Sequence, residues 1–179
     1  MSTKAPQAPR TVVEPGTVWI LGPLRSPVPF MSMNDRGDRR AEAPMVREWR
    51  SAACAAARQQ HLPRQLGNRV RVDVAVHFPD VDARGRPNGQ DRDRHNYYPT
   101  AKHLLDGLTP PKPLTQVIDL PGGGKRKVPA GQTVGYPLLI DDADWYVDGP
   151  VVVIRELVPR VQYPFGAVTI TITALEVLR

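Results

Sequence analysis

At 179 residues with 41% hydrophobic side chains, the chain fits one folded domain with a core of its own and leaves little room for a second. A net charge of +6 and a pI near 9.8, with arginine at 19 of the 24 basic positions, favour an anionic partner over an acidic-patch binder, although a GC-rich coding sequence gives the same arginine bias. The single cysteine, Cys54, excludes an internal disulfide and a cysteine zinc cage. No apolar run reaches the length of a membrane span and no signal core follows Lys4 and Arg10, so the chain reads as soluble and cytoplasmic.

In chain order, residues 1–14 read as a flexible, Pro-containing tail, and 15–179 as a single domain. Thr17 to Gly22 is a short β-branched and aromatic run closed by Gly22-Pro23, which predicts a first strand. Pro23, Pro27 and Pro29 then forbid a helix, and the stretch ends in Ser32 to Arg40, either a solvated loop or a basic arm for DNA. Pro44 suits the first turn of a helix running from Met45 to about Gln60. On it Val46, Trp49, Ala53, Ala56 and Ala57 form a core stripe, with Arg47, Arg50 and Arg58 off it and Cys54 a small buried side chain.

Val70, Val72, Val74, Val76 and Phe78 alternate with polar or small residues, the clearest period-two pattern in the chain and a strand with one buried face. After a loop over Pro79 to Gln90, a second helix is expected from near Pro99 to a C-terminal cap at Gly107. Thr109 to Pro137, dense in proline and glycine, reads as an insertion. Within it Gln116–Leu120 and Lys127–Val128 suggest a small hairpin, and its GGGKRK tip is a mobile loop or a phosphate contact, not a phosphate-binding P-loop. Strands at Val151–Val158 and Ala167–Leu178 close the chain. The tally predicts an α/β (α+β) fold, a single mixed β-sheet of about four strands packed against two main helices.

Two acidic stretches stand out. Asp91, Asp93, Asn96 and Lys102 crowd the approach to and first turns of the second helix, and Asp141, Asp142 and Asp144 follow the apolar run Leu138–Ile140. Carboxylates at the ends of two core elements suit a hard divalent cation such as Mg²⁺, which takes one or two of them plus water and phosphate. Lys102 is placed to neutralise charge on a phosphoryl group. The same residues also read as an ordinary solvated loop and a surface i, i+4 pair of Lys102 with Asp106. His95, beside Asn96, has no second His and Asn arranged for an HNH-type nuclease and is expected to face solvent or substrate.

The pattern Asp93-x-x-Asn96-x-x-Pro99-Thr100-x-Lys102-x-x-x-Asp106-Gly107-Leu108, followed by Asp141-Asp142, resembles the RusA family of Holliday-junction resolvases, in its phage- and prophage-borne branch. The likeness extends upstream to Ser32-x-Asn34-Asp35-Arg36 and Glu48-Trp49-Arg50, and covers about residues 18–176. It implies a RusA-like nuclease domain over 15–179, interrupted by the insertion at about 109–137. It also implies a homodimer, dependent on Mg²⁺ with Mn²⁺ as a substitute, that cuts four-way DNA junctions by paired nicks. Carried over, Asp93, Lys102 and Asp142 are catalytic. Asp93 and Asp142 hold the metal, with Asp141 and Asp91 as further ligands. Asn34, Arg36, Arg39, Arg40, Arg92, Arg94 and Asn96 contact branched DNA. Three departures stand beside the match: His95 occupies the place of an expected aspartate, the Asn96–Lys102 spacing is three residues longer than in the best-known bacterial member, and the insertion is long. A non-catalytic branched-DNA-binding protein of the same fold, or a nuclease acting on forks or flaps, are the alternatives.

Overall fold

The alternation around Val70 to Phe78 does produce the central strand. The computed structural model describes residues 10–34, 39–89, 92–143 and 145–178, with the side chains of residues 39–41 outside that set. In chain order the elements are β1 (Val18–Arg25), α1 (Arg39–Gln59), β2 (Asn68–His77), a 3-10 turn (Arg94–Tyr97), α2 (Tyr98–Gly107), β3 (Pro113–Asp119), β4 (Lys125–Gln132), β5 (Val147–Ile154) and β6 (Ala167–Val177). Four strands form one mixed sheet in the order β1-β6-β2-β5, and β3 and β4 form a separate two-stranded ribbon. β6 runs antiparallel to both β1 and β2, while β5 lies parallel to β2. A parallel pair needs a crossover, and α2 with the ribbon that follows it supplies the connection. The mixed α/β architecture expected from the sequence is therefore the observed one.

Val70, Val72, Val74 and Val76 of β2, with Ile170 and Ile172 of β6, are fully buried. They share one core cluster with Trp49, Ala53 and Ala57 of α1 and Leu104 and Leu105 of α2. Trp49 stacks on Phe30 at 5.7 Å between ring centroids, so the indole is committed to the core. Cys54 is buried on the same helix.

Several boundaries differ from expectation, each for a physical reason. β1 does not stop at Gly22-Pro23 but runs through it with a register shift between Leu21 and Leu24. It is an edge strand paired only with β6, so proline's missing N–H removes no ladder bond on the open side. α1 begins at Arg39, which puts Pro44 inside the helix rather than in its first turn; one intrahelical bond is lost there and the helix continues. Thr11 is not loosely attached: its N–H donates to Gln65 O at 2.9 Å and its carbonyl accepts from Gly67 N at 2.8 Å. Asn68 is buried and clasps Val13 through both N–H and carbonyl, each at 3.0 Å.

Gly107 also differs. It ends α2, but the reason for glycine is packing: a Cβ there would lie 2.5 Å from Arg50 O and 2.9 Å from Arg50 Cα. The two helices touch backbone to backbone at this point. Among the described residues, no helix is long and apolar enough to cross a membrane.

Candidate functional site

The close approach at Gly107 sets one wall of the site, bringing the Arg50 turn of α1 against the last turn of α2. The segment leaving the ribbon is then clamped in place. Tyr136 N donates to Gly107 O at 2.8 Å, and Leu139 N to Leu108 O at 3.0 Å. On the other side Gln65 N and Leu66 N donate to Pro137 O and Leu138 O at 2.7 and 2.8 Å. Leu138 and Leu139 are buried. The apolar run therefore acts as an anchor, and the residues that follow it, Asp141 and Asp142, are delivered to the flank of α2.

There Lys102 Nζ donates to Asp106 Oδ1 at 2.9 Å and, in a short contact, to Asp142 Oδ2. Asp106 Oδ2 accepts from Arg50 Nη2 at 2.6 Å, and His103 Nδ1 stands 3.8 Å from the same oxygen, beyond hydrogen-bond reach. Lys112, at the base of the ribbon, lies 3.7 Å from Asp142 Oδ1 and 4.0 Å from Asp141 Oδ1. Asp141 Oδ1 also accepts the Asp142 N–H at 2.8 Å. Three carboxylates thus face Arg50, Lys102 and Lys112 in a half-buried, charge-balanced cluster.

The titration of these groups follows from that arrangement. Partial burial opposes the charge on Lys102, but its hydrogen bonds to Asp142 and Asp106 outweigh it and hold the ammonium above the ordinary lysine range. Burial likewise opposes ionisation of Asp106, and the hydrogen bond and charge of Lys102 with the charge of Arg50 overcome it, so this carboxyl sits far below the usual carboxylate range. The Lys102 hydrogen bond lowers Asp142 too.

Residues from the other half of the motif line a groove of about 530 Å³, formed by Arg92, Asp93, Arg94, His95 and residues 153–155 at the end of β5. Asp93 caps the 3-10 turn by accepting the His95 N–H at 2.9 Å. Arg94 and His95 are exposed. Arg92 is partly spent inside the fold, its guanidinium 4.1 Å over the Phe78 ring and within 3.3–3.4 Å of Asn88 Oδ1 and Tyr97 Oη. Asn96 gives its carbonyl to Met33 N at 2.8 Å, and Thr100 Oγ1 binds both the N–H and the carbonyl of Met31. The segment leading to Asn34, itself exposed, is thereby docked on the start of α2.

The fold brings Lys102, Asp141 and Asp142 together, and Asp93, Arg92 and Arg94 line a groove beside residues 153–155. Arg36 and Asp91 lie outside the described residues, as does Asp144, and so do the side chains of Arg39 and Arg40. Asp106 stands in the sequence as a position of the motif and as a surface partner of Lys102, with no role assigned to it, whereas its side chain is 15% exposed and central to the cluster. Arg50 stands in the sequence off the helical core stripe and within the upstream likeness at Glu48-Trp49-Arg50, without a role, and Lys112 and Arg155 carry no sequence signal for a site.

Among the described residues, no three His, Cys, Asp or Glu side chains form a metal-holding group. The adjacent Asp141 and Asp142 nevertheless meet the lesser demand of Mg²⁺, which is commonly held by one or two carboxylates with water and substrate phosphate completing the shell. Asp141 keeps 49% of its side chain exposed, and its neighbour Lys112 is 62% exposed, so this cation is held more loosely than Lys102, which makes the short contact to Asp142. Compared with protein-family models, with curated proteins and with solved structures, the chain finds no match.

Proposed function

We propose that the protein is a Mg²⁺-dependent, structure-selective endodeoxyribonuclease that resolves four-way DNA junctions by paired nicks. It acts as a homodimer in the cytoplasm, in recombination, repair or phage DNA processing, and Mn²⁺ substitutes for Mg²⁺. The observation that carries the reading is the ion pair of Lys102 with Asp142, which joins the two motif stretches on which the likeness to RusA resolvases rests. The net charge of +6 and the exposed Arg94 beside Arg155 in one groove suit a polyanionic substrate.

In this mechanism Asp142 and Asp141 would hold the metal, whose chemistry is to withdraw charge from the scissile phosphate and acidify a bound water. Lys102 stays protonated because Asp106 pairs with it, and its ammonium stabilises the charge that builds on the phosphate. Asp106 is in turn oriented by Arg50, so Lys102 is aimed from a fixed base rather than from solvent. Lys112 neutralises the acid pair until substrate and metal arrive. Two-fold symmetry of a homodimer supplies one such site for each of two opposed strands. Asp93 belongs to the proposal as a further ligand. A loss in Asp93→Asn equal to that in Asp142→Asn puts both acids on one metal, and an unchanged rate confines the metal to Asp141 and Asp142.

A second reading, a non-catalytic protein of the same fold that binds branched DNA, draws on exposed His95 standing where the resemblance expects an aspartate. Incubation of a labelled synthetic four-way junction with the protein in Mg²⁺ or Mn²⁺ separates the two. Nicks that vanish in Asp142→Asn while binding persists support the nuclease, and binding without nicks in either metal ends it. Forks and flaps competed against the junction at fixed salt decide which branched DNA is preferred.

A further inference from the structure

The β3–β4 ribbon is unlike the rest of the molecule. Every residue of β3 is exposed, and of β4 only Val128 is even half-covered. Val117 is 58%, Ile118 37% and Leu120 39% exposed. Two-stranded ribbons are marginal by themselves, and apolar side chains left in water on such a ribbon point to a surface that is covered in use.

Its charge says by what. Lys112, Lys125, Arg126 and Lys127 stand on or next to the strands against the one acid Asp119. Cross-strand pairing puts Lys127 opposite Val117 and Lys125 opposite Asp119 on one face, and Arg126 opposite Ile118 on the other. Cations project from both faces, as a ribbon flanked by two phosphate backbones requires. The turn between the strands is Pro121 to Gly124, with Gly122 and Gly123 at φ +107° and +89°, so the tip is slim. A B-DNA major groove about 12 Å wide admits a two-stranded ribbon, and seven residues of strand extend about 24 Å.

The base of the ribbon is fixed at the site. Lys112 and Thr133 close it through two hydrogen bonds, Thr133 N to Lys112 O at 2.9 Å and Lys112 N to Thr133 Oγ1 at 2.8 Å. The ammonium of the same Lys112 reaches Asp142 at 3.7 Å.

We infer that the ribbon is a DNA-binding arm that enters the groove of a duplex segment adjoining the Lys102–Asp142 cluster, with Lys125, Arg126 and Lys127 on phosphates and Val117 and Ile118 against sugars and base edges. The inference rests on the nuclease reading and deepens it by assigning the arm that grips a duplex limb of the substrate.

The test is equilibrium binding of the full chain to a fluorescent four-way junction and to a plain duplex across a salt series. The triple variant Lys125→Ala, Arg126→Ala, Lys127→Ala alters only exposed side chains. It is expected to bind both DNAs more weakly, with a dependence of log affinity on log salt shallower by about 3. Val117→Ser with Ile118→Ser is expected to lower affinity at an unchanged slope. Wild-type affinity and slope in the triple variant, or wild-type affinity in the apolar pair, overturns the inference and leaves the nuclease reading standing. A wild-type protein that binds neither DNA at any salt overturns both.

Discussion

Lys102 on α2 and Asp142 on the loop before β5 form an ion pair across forty residues of chain. It is the direct link between the two acidic stretches, and Asp106 locks it from the other side at 2.9 Å. Replacing Lys102 by Met leaves Asp142 to the looser Lys112 and Asp106 to Arg50. The expected cost is about 1–2 kcal/mol, between the values for exposed and buried pairs, because 35% of the Lys102 side chain stays in water. Urea unfolding of the two proteins at neutral pH measures it, and equal midpoints would remove the pair from the account of stability.

The same cluster predicts how stability varies with pH. Asp106 and Asp142 have lowered carboxyl pKa values in the fold. Their contribution is complete above the unfolded carboxyl value of about 3.9 and drains away as pH falls through the depressed folded values. Lys102 is raised, so its contribution is complete below the unfolded value of about 10.4 and is lost only as pH climbs through the higher folded one. Unfolding free energies measured from pH 2 to 7 should therefore fall on the acid side in the wild type. Each tenfold difference in acidity between a folded and an unfolded carboxyl is worth about 1.4 kcal/mol. The Asp106→Asn variant should start lower at neutral pH and lose less on acidification. An acid limb as steep in the variant as in the wild type would assign the effect to other carboxylates.

Gly107→Ala tests the helix contact that frames the site. The added methyl carbon meets Arg50 O at 2.5 Å, backbone against backbone, so α1 and α2 must part. A loss of about 1–3 kcal/mol is expected from such overpacking, although alanine is the better helix former by about 1 kcal/mol. Thermal unfolding reads the sign directly, and a variant more stable than wild type would mean that the helices tolerate separation.

The legible parts of this fold are those where one face of an element meets the core. β2 announces itself because its valines alternate, and Trp49, Ala53 and Ala57 because they recur at helical spacing on a stripe that is buried. The ends that mislead are prolines: Pro23 lies on an edge strand and Pro44 inside a helix, where context overrides the usual stop signal. The ribbon is visible in the sequence as a hairpin but too short, since Pro113 and Pro129 are tolerated where half of the N–H groups point to solvent. The meeting of Lys102 with Asp142 has no local signal at all. It depends on Tyr136 to Leu139 being clamped between α2 and the Gln65–Leu66 turn, a set of backbone bonds that leaves no periodic trace. Asp106 stands in the motif, but its role is obscured by the opposite fault, since Lys102 and Asp106 at i, i+4 resemble any solvated helix pair.

The most direct test of the proposed nuclease is single-turnover cleavage of a labelled four-way junction in Mg²⁺ by the wild type, Asp142→Asn and Lys102→Met, with binding measured alongside. Paired nicks are expected from the wild type. Lys102→Met should lose about 10²–10³-fold in rate, the scale of removing one preorganised charge at a reacting phosphoryl group. Asp142→Asn should cleave no faster than that, and both variants should bind the junction as the wild type does. Junction binding by the wild type with no nick in Mg²⁺ or Mn²⁺, or nicks undiminished in both variants, would contradict the account.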